Sequence, residues 1–522
     1  MRGNYLTRIV VLFLLFSAIG VNASAETKNE QLNYNLEQKT ADNKHDPREQ
    51  GNTTPVKNQG HLSTCWDFAG MATLESFLKL KGYGEYDLSE EHARWWGTTD
   101  GEGYGWNRGQ DDFGWQETFL GYLTSGVGPK LESEVPYLGE YEGVQPSNMN
   151  TAITQFRVTD IVYVDSKIDS VKAAIRSYGS VSSRYINDMS FLSSSGKSYN
   201  CNSYDNNKLG HMVAIVGWDD NYSKENFDEN KRPILKGAWL IKNSWGETLG
   251  DKGYLWISYE DMYLLKSAIN FSIKNVTPVD MKTKIYQHDQ YGSTMSATMY
   301  DFNDENSFNK ITCGNVYDFN EEFNLLDSVM FNTDSKGAKY EIYYGPFVNN
   351  TIALDKKIKI AEGTIKDRGY LTVPTNSYVL PKGKGAILIS IEYANLDNAA
   401  NIGCEMSRSI DGAYEFKAKV NSGESYIILS GKAVDTTNIK PMNFTIKAIT
   451  KKAQIQPPNN NLLKTKIEDK EQIDNSDSQK ITDKSLKTVE DNNPSVIIIP
   501  LGLLIIGILG ISIIIINKTW KL

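Results

Sequence analysis

The feature that most constrains the fold of this chain is a polar, turn-rich segment that runs into an amphipathic helix at a single cysteine. The stretch from Pro55 to Leu80 is PVKNQGHLSTCWDFAGMATLESFLKL. After Trp66, apolar residues recur at steps of three and four, which predicts a helix with one face in a core and Cys65 in its first turn. The unpaired amides and the dipole at a helix N-terminus favour a thiolate, the nucleophilic form of cysteine. A buried structural cysteine is the alternative that this stretch alone leaves open.

Composition narrows the classes of protein that this chain can be. With 522 residues, a net charge of −9 and 40% hydrophobic residues, the chain is long enough for more than one domain with its own core. It has no basic stripe, which argues against a nucleic-acid partner. Four cysteines in this length do not make a disulfide scaffold, and no zinc-ligand spacing occurs. For Cys313 and Cys404, a disulfide and two free thiols both stay open, and Cys201 has no evident partner.

The N-terminus has the pattern of a secretory signal. Basic residues flank an apolar run from 9 to 21, and the small residues Ala-Ser-Ala end at residue 25, as in a signal-peptidase site. We therefore predict a signal peptide over residues 1–25, an exported mature chain, and a short polar leader over residues 26–45.

The C-terminus has the pattern of a membrane anchor. Residues 496–516 are almost wholly apolar and, at about 1.5 Å per residue, long enough as a helix to cross a hydrocarbon core of about 30 Å. A short basic tail, 517–522, follows and is typical of the cytoplasmic side. The pattern predicts a single-pass protein of the cell membrane with its catalytic domain extracellular. The alternative is a sorting signal that is cut and replaced by a wall linkage, but residues 492–495 contain no LPxTG-like motif.

Two folded regions and a linker lie between these ends. Residues 46–275 have a helical front half and a strand-rich back half, which predicts an α+β domain of two lobes with a cleft between them. Residues 281–450 consist of strands and turns throughout, which predicts an all-β sandwich. Residues 451–494 are abruptly polar, and such a composition cannot bury enough surface to fold. We expect them to form a disordered linker.

Local patterns place individual elements in the first region. Ser89 in LSEE is the predicted cap of a second helix, and a third helix is predicted over residues 116–124. Short runs of β-branched and aromatic residues predict strands over 161–164, 180–185, 211–218, 238–242 and 254–258.

A nucleophilic cysteine needs a base, and the base needs a group that orients its ring. Of the five histidines, His211 opens the predicted strand HMVAIVGW and could face a cleft; a surface histidine at a strand end is the alternative. In the turn after the strand WLIK, Asn243 could accept from one imidazole nitrogen and Trp245 could shield that bond, although ordinary turn chemistry also explains this asparagine. The side-chain amide of Gln59, six residues before Cys65, could stabilise a developing oxyanion.

The motifs PVKNQG, CW-x-FA, LSEE, GHMVAIVGW and KNSWGE-x-x-G-x-x-GY occur in order over residues 46–259. Their order and spacing resemble those of the papain-like cysteine peptidases (family C1). The resemblance implies a papain-like two-lobed fold and a hydrolase that acts on protein or peptide substrates without a cofactor. It assigns Gln59 to the oxyanion hole, Cys65 to the nucleophile and His211 to the acid/base. It assigns Asn243 to orienting that histidine.

Two further residues are candidate substrate-binding residues. Gly114, in FGWQ, resembles one of the paired glycines that contact the substrate backbone in this family, and Phe113 stands in the place of the other. Trp245 belongs to the KNSWGE motif.

The chain also departs from the family pattern near the nucleophile. Leu62 replaces a cysteine that the family commonly pairs in a disulfide, and Leu249 stands where a second tryptophan is frequent. Ser63 and Thr64 replace a more usual Gly-Ser pair. Asp67 replaces a small residue, and a carboxylate beside the thiol is expected to raise the thiol's pKa.

The motifs KIYQHDQYG and AKYEIYYG give residues 281–450 a resemblance to the lectin-like domains that follow such peptidase domains in some bacterial and archaeal surface proteins. This resemblance implies cell-surface carbohydrate as a further partner. A purely structural or substrate-presenting module is the alternative. Asp-rich turns leave a calcium site open in this domain.

These patterns together predict an extracellular, membrane-tethered cysteine endopeptidase that hydrolyses surface or secreted proteins. The alternative is a surface adhesion or glycan-binding protein whose peptidase fold is catalytically silent. A peptidoglycan peptide hydrolase shares the Cys/His chemistry, but different motifs would surround both residues.

Overall fold

The computed structural model describes eight segments of the chain. These are residues 43–139, 143–203, 210–280, 282–301, 307–396, 398–410, 414–452 and 512–513. The predicted signal peptide, nearly all of the leader and linker, and the basic tail lie outside the described residues.

The described residues contain four α-helices, all in the first half of the chain. They are α1 (Cys65–Leu80), α2 (Glu90–Trp96), α3 (Gln116–Thr124) and α4 (Ile168–Tyr178). The first three confirm the predicted helices, and the Ser89 hydroxyl caps α2 by accepting from the His92 N–H at 3.0 Å. Helix α4 was not predicted, because the pattern after residue 160 indicated only strands. Its buried stripe of Val171, Ala174 and Ile175 has helical spacing.

The strands of the first half bear out the predicted strand-rich region. They are β1 (Lys44–His45), β2 (Gly105–Asn107), β3 (Phe156–Tyr163), β4 (Val181–Ile186), β5 (Ser198–Tyr199), β6 (Gly210–Asp219), β7 (Ala238–Lys242), β8 (Tyr254–Ser258) and β9 (Phe271–Pro278). The second half is built from strands and short 3₁₀ turns. Its strands are β10 (Thr283–Tyr286), β11 (Met295–Thr298), β12 (Tyr300–Asp301), β13 (Lys310–Phe319), β14 (Leu325–Thr333), β15 (Lys339–Val348), β16 (Thr351–Ile352), β17 (Ile358–Thr364), β18 (Gly369–Val379), β19 (Gly383–Glu392), β20 (Asn401–Glu405), β21 (Arg408–Ile410), β22 (Tyr414–Lys417), β23 (Ser425–Leu429), β24 (Lys432–Asp435), β25 (Asn443–Phe444), β26 (Ile446–Lys451) and β27 (Ser512–Ile513).

One sheet continues through both halves of the chain. Within the described residues it has twelve strands in the order β10-β26-β14-β18-β3-β9-β4-β6-β7-β8-β5, with β1 paired to β6. The halves join where β18 pairs antiparallel with β3, with Tyr370 opposite Ile161 and Gly369 opposite Val162. A side chain at Gly369 would lie 2.1 Å from the Ile161 carbonyl oxygen, and the residue has φ +123°, so this join needs glycine.

Each half of the chain has a large apolar cluster, and the cluster of the first half also includes Met330, Tyr370 and Ile449 of the second. Helix α1 packs its apolar side, including Met71, Leu74 and Leu78, against β6 and β9. Burial of such side chains stabilises a fold by about 1.5–3 kcal/mol each. In the second half, the strands β14, β18 and β26 face a seven-stranded sheet containing β13, β15 and β19 across a continuous apolar layer. This arrangement confirms the predicted α+β fold with a two-lobed first domain and a β-sandwich second domain.

All four cysteines, Cys65, Cys201, Cys313 and Cys404, are buried free thiols. Cys313 and Cys404 therefore do not form a disulfide in this structure. Within the part of the chain that the structure describes, no group of three or more His, Cys, Asp or Glu side chains could hold a metal ion.

The predicted membrane span has to be corrected. No helix among the described residues is long and apolar enough to cross a bilayer. Ser512 and Ile513, which belong to the predicted span of residues 496–516, instead pair as a two-residue strand with Tyr300 and Asp301. A residue committed to a sheet cannot form the continuous helix that a span requires. The remainder of the predicted span lies outside the described residues.

Candidate active site

Cys65 is held between the start of α1 and the start of β6. It is the first residue of α1, and its side chain is only 5% exposed. The backbone of Met212, which follows His211 in β6, lies close enough to lower the pKa of the Cys65 thiol. The helix and the strand therefore bring Cys65 close to the residue after His211, although 146 positions separate Cys65 from His211 in the numbering.

Burial controls the ionisation of Cys65. It raises the pKa of the thiol to about 11, and the negative charge of Asp67 adds to the rise. The Met212 amide and the positive charge of Arg184 act in the opposite direction. At neutral pH the isolated thiol is protonated, so it becomes a nucleophile only when a base takes its proton.

His211 is oriented by Asn243. Its Nε2 lies 2.8 Å from Asn243 Oδ1, which also accepts from the backbone N–H of Ser244 at 2.8 Å. Because an amide oxygen only accepts, the ring carries its proton on Nε2, and Nδ1 is left with its lone pair. The Trp245 indole stacks on the imidazole with ring centroids 4.4 Å apart. Burial lowers the pKa of His211 to about 4, and the hydrogen bond that His211 donates to Asn243 opposes this shift. The ring is therefore a neutral base at pH 7.

Gln59 connects the cysteine side of the site to the histidine side. Its Nε2 donates to the Leu62 carbonyl at 2.7 Å, and its Oε1 accepts from the Ser244 hydroxyl at 2.6 Å. The Gln59 N–H also donates to the Ser244 carbonyl at 2.8 Å. These bonds fix the amide plane and leave the second hydrogen of Nε2 available to another acceptor. Gln59, Ser244 and the neighbouring Asn243 thus form one hydrogen-bonded group.

Gly114 lies directly against the residue that follows the cysteine. A side chain at Gly114 would meet the Trp66 indole at 2.5 Å, so only glycine fits. Phe113, before it, is half-buried. The structure therefore places Gly114 beside α1. The other candidate substrate-binding residue, Trp245, stacks on the imidazole of His211.

Sequence reasoning did not find two residues that build this site. The Tyr137 hydroxyl donates to the Gln59 carbonyl at 2.9 Å and lies 2.9 Å from Thr64 Oγ1, so it joins the two residues that flank the loop before Cys65. Nothing in the sequence around Tyr137 points to this contact. Ser244 belongs to the KNSWGE motif and directly follows Asn243. Its position in that motif could have identified it as a residue of the site.

Asp67 is buried in the first turn of α1 with little compensation. Its side chain is 0% exposed, and neither carboxylate oxygen has a well-formed hydrogen bond within the described residues. Burial and the charge of Glu90 raise its pKa well above the usual range, although Arg108 and Arg94 oppose the rise. A carboxyl whose pKa is raised on folding destabilises the folded protein progressively as pH rises from its unfolded pKa through its folded pKa.

We therefore expect Asp67→Asn to stabilise the protein, because the amide is neutral in the folded and unfolded states alike and needs no proton to be buried. The gain in the unfolding midpoint should be larger at pH 8 than at pH 5, since keeping Asp67 protonated in the folded state costs more as pH rises. Thermal unfolding at both pH values measures it, with the exposed Glu247→Gln as the control that should change neither midpoint. An equal gain at the two pH values would show that ionisation of Asp67 is not the cause.

Comparison with known proteins shows the family of this chain. The family model of papain family cysteine protease matches residues 41–301, and the model of a lectin like domain matches residues 285–450. The first match covers half of the chain, and the chain therefore belongs to the papain family of cysteine proteases, a family of hydrolases.

Solved structures narrow the resemblance further. The chain is similar to the cysteine protease and lectin-like domains of Cwp84, a surface layer associated protein of Clostridium difficile. It is 47% identical to them with a TM-score of 0.73, covering 79% of this chain and 89% of that one. A clostridial Cwp84 structure after propeptide cleavage is also 47% identical, with a TM-score of 0.73, covering 78% of this chain and 99% of that one.

Two curated relatives match about two-fifths of the chain. Rat procathepsin L is 33% identical over 219 residues, which is 41% of this chain and 59% of that protein. Mouse cathepsin S is 30% identical over 214 residues, which is 40% of this chain and 56% of that protein. The chain thus spans somewhat more than half the length of the curated relatives it matches.

These comparisons also bear on the predicted localisation. The prediction of a single-pass membrane protein is wrong: the described residues contain no spanning helix, and the solved relative is a surface layer associated protein.

Proposed function

We propose that this chain is a cysteine endopeptidase that hydrolyses peptide bonds of proteins through Cys65, His211 and Asn243, with Gln59 as a donor to the oxyanion. The observation that supports this most is the 2.8 Å bond between His211 Nε2 and Asn243 Oδ1, made beside a cysteine at a helix N-terminus. That bond sets the tautomer in which Nδ1 can accept the thiol proton.

Acylation would begin with a neutral pair. As the Cys65 sulfur attacks the substrate carbonyl carbon, its proton passes to His211 Nδ1, and the C=O electron pair moves onto oxygen. The second Nε2 hydrogen of Gln59 and the Cys65 backbone N–H stabilise that oxyanion. The electron pair then returns, the C–N bond breaks, and the imidazolium gives its proton to the leaving amine. The product is a thioester on Cys65 and a free amine.

Deacylation uses the same groups with water. His211 Nδ1 takes a proton from the water as its oxygen attacks the thioester carbon. Collapse of the second oxyanion breaks the C–S bond, releases a carboxylic acid, and returns the proton to the Cys65 sulfur. Asn243 holds the ring in place through both halves, and the stacked Trp245 excludes water from the bond between them.

The substrate class follows from the relatives. Because Cwp84 is a surface layer associated protein, we propose proteins of the cell surface, or secreted proteins, as substrates of this chain. Carbohydrate binding by the second domain stays a prediction. It is supported by an open concavity of about 520 Å³ that is lined by aromatic and polar residues, among them Phe347, Lys384, Tyr426 and Asp435. The same concavity favours the second candidate, an adhesion protein with a silent peptidase fold.

One experiment separates these functions. The purified chain is incubated under reducing conditions with an unfolded protein whose own thiols are blocked, and new N-termini are identified by mass spectrometry. We expect cleavage at internal bonds, and we expect prior treatment with iodoacetamide to stop it in proportion to alkylation of Cys65. Cleavage that persists after complete alkylation of Cys65, or a lack of cleavage by untreated protein, would contradict the proposal and favour the adhesion candidate.

A further inference from the structure

A strand of the peptidase half is incorporated in a sheet of the second domain. Strand β2 pairs with β22, and β22 pairs with β21, so two of the three strands in this small sheet come from the second domain. The register places Trp106 opposite Phe416 and Asn107 opposite Glu415. The loop that follows β2 leads directly to Gly114, so the start of this loop is attached to the second domain.

Side chains reinforce this pairing. The Trp106 indole is 1% exposed and lies against the Phe416 ring, with centroids 4.9 Å apart. The Arg408 guanidinium lies 5.6 Å from the centroid of the same indole. Arg408 also donates to the Thr294 carbonyl at 2.8 Å and lies 3.4 Å from the carboxylate of Glu117, in the first turn of α3. Residues of the second domain therefore contact the chain both before and after Gly114.

Arg108 hydrogen-bonds to the loop that leads to Gly114. It is buried, and its Nε donates to the Phe113 carbonyl at 2.7 Å while its Nη1 donates to the Gly97 carbonyl at 3.1 Å. Its Nη2 donates to the Asp112 carbonyl. The guanidinium lies 5.2 Å from the centroid of the Trp66 indole. One side chain, in the position directly after β2, thus holds the two carbonyls that precede Gly114.

The second domain also contacts this loop through Tyr414, the first residue of β22. Phe113, Asp112 and Arg108 all lie close enough to Tyr414 to influence the ionisation of its hydroxyl. On the other side, the Ser63 N–H donates to the Asp111 carbonyl at 3.2 Å, two residues before Cys65. The loop is therefore clamped between β22 and the segment that leads to the nucleophile.

There is little room for this loop to move independently. Gly114 rests on the Trp66 indole so closely that a Cβ would be 2.5 Å away. A shift of the loop would therefore move the Gly114 backbone relative to α1.

We propose that the second domain completes the substrate-binding wall of the peptidase: β22, through Phe416 and Tyr414, positions the loop from Arg108 to Gly114 so that it binds an extended peptide. This inference rests on the proposed peptidase function. Tyr414 and Phe416 are positioning residues, since they act through the loop and not on the reacting atoms.

The test uses the full chain with Tyr414→Phe and Phe416→Ala. Tyr414→Phe removes only a hydroxyl, so it remains informative if Phe416→Ala folds poorly. Each has a matched control in the second domain: Tyr393→Phe loses a hydroxyl that donates to the Lys336 carbonyl at 3.2 Å, and Phe319→Ala loses a core ring that is 1% exposed. Active protein is counted by titrating Cys65 with a thiol reagent, so that any loss of folded protein is removed from the kinetic constants.

For an extended peptide substrate, we expect KM to rise about 10-fold in Phe416→Ala and less in Tyr414→Phe, with kcat within about twofold of the parent. Both controls should keep the parent KM. Hydrogen exchange of the amides in residues 109–115 should become faster in the two test variants and not in the controls. Unchanged KM in both test variants would overturn the inference, whether or not exchange becomes faster. If the parent protein itself cleaves nothing, the proposed function fails first and the inference fails with it.

Discussion

Replacing Cys65 with alanine is expected to lower cleavage of an unfolded protein by about 10⁴-fold or more, because no other group can form the acyl intermediate. The side chain is small and buried, so the unfolding midpoint should change by only a few degrees. Measuring kcat/KM on a peptide identified as a substrate, together with thermal unfolding, separates loss of chemistry from loss of fold.

Cys201→Ala is the matched control for this prediction. Cys201 is 1% exposed, and burial raises the pKa of its thiol to about 11, as it does for Cys65. Its sulfur donates to the Ser203 carbonyl at 3.4 Å. The two buried thiols thus have similar pKa values and different neighbours. Equal activity of the Cys65→Ala variant and the parent would refute the assignment of the nucleophile.

Replacing His211 with alanine should make the reactivity of Cys65 steeply dependent on pH. With a pKa of about 11, about one thiol in 10⁴ is ionised at pH 7, and this fraction rises about tenfold with each pH unit below the pKa. In the parent protein, His211 Nδ1 is proposed to accept the thiol proton as the sulfur attacks, so the reaction does not depend on prior ionisation of the thiol. The rate of alkylation of Cys65 by iodoacetamide, followed by mass spectrometry from pH 6 to pH 10, should therefore be far lower in the variant at pH 7. The difference should narrow as pH rises.

His92→Gln provides the corresponding control. Burial also lowers the pKa of His92 to about 4, but its ring nitrogens lie 2.9 Å from the Tyr122 hydroxyl and 3.0 Å from the Met149 carbonyl. Both nitrogens are thus engaged in the helical core. This variant is expected to unfold at a lower temperature and to keep the parent pH profile. The same profile in His211→Ala as in the parent would exclude His211 as the base.

Local patterns were sufficient for the elements that carry the candidate site. The helix beginning at Cys65, the serine cap of α2, and the strands that begin near His211 and at Ala238 all follow from spacing along the chain. Such patterns succeed because each element buries one face. The spacing of its apolar residues therefore shows whether the element is a helix or a strand.

Contacts between distant segments were not predictable in the same way. Tyr137 and Arg108 each hold two parts of the site together, but their neighbours in sequence are ordinary loop residues. The carbonyl that such a side chain contacts depends on how the loops pack, and the spacing of residues along the chain does not predict this contact. The predicted membrane span failed for a related reason. An apolar composition indicates that a segment tends to leave water. It does not show whether residues such as Ser512 and Ile513 enter a bilayer or pair in a sheet.

The sequence by itself determined the class of chemistry: a cysteine at a helix start, a histidine at a strand start, and an asparagine and a glutamine in the turns that face them. Each of those positions depends on local structure, which neighbouring residues specify. Only the tertiary structure decided that the two domains share one sheet at β3 and β18, and that β22 holds the loop leading to Gly114. Strand pairing between segments some 200 residues or more apart depends on complementary edges and close backbone packing, as at Gly369, and these arise only when the whole chain has folded.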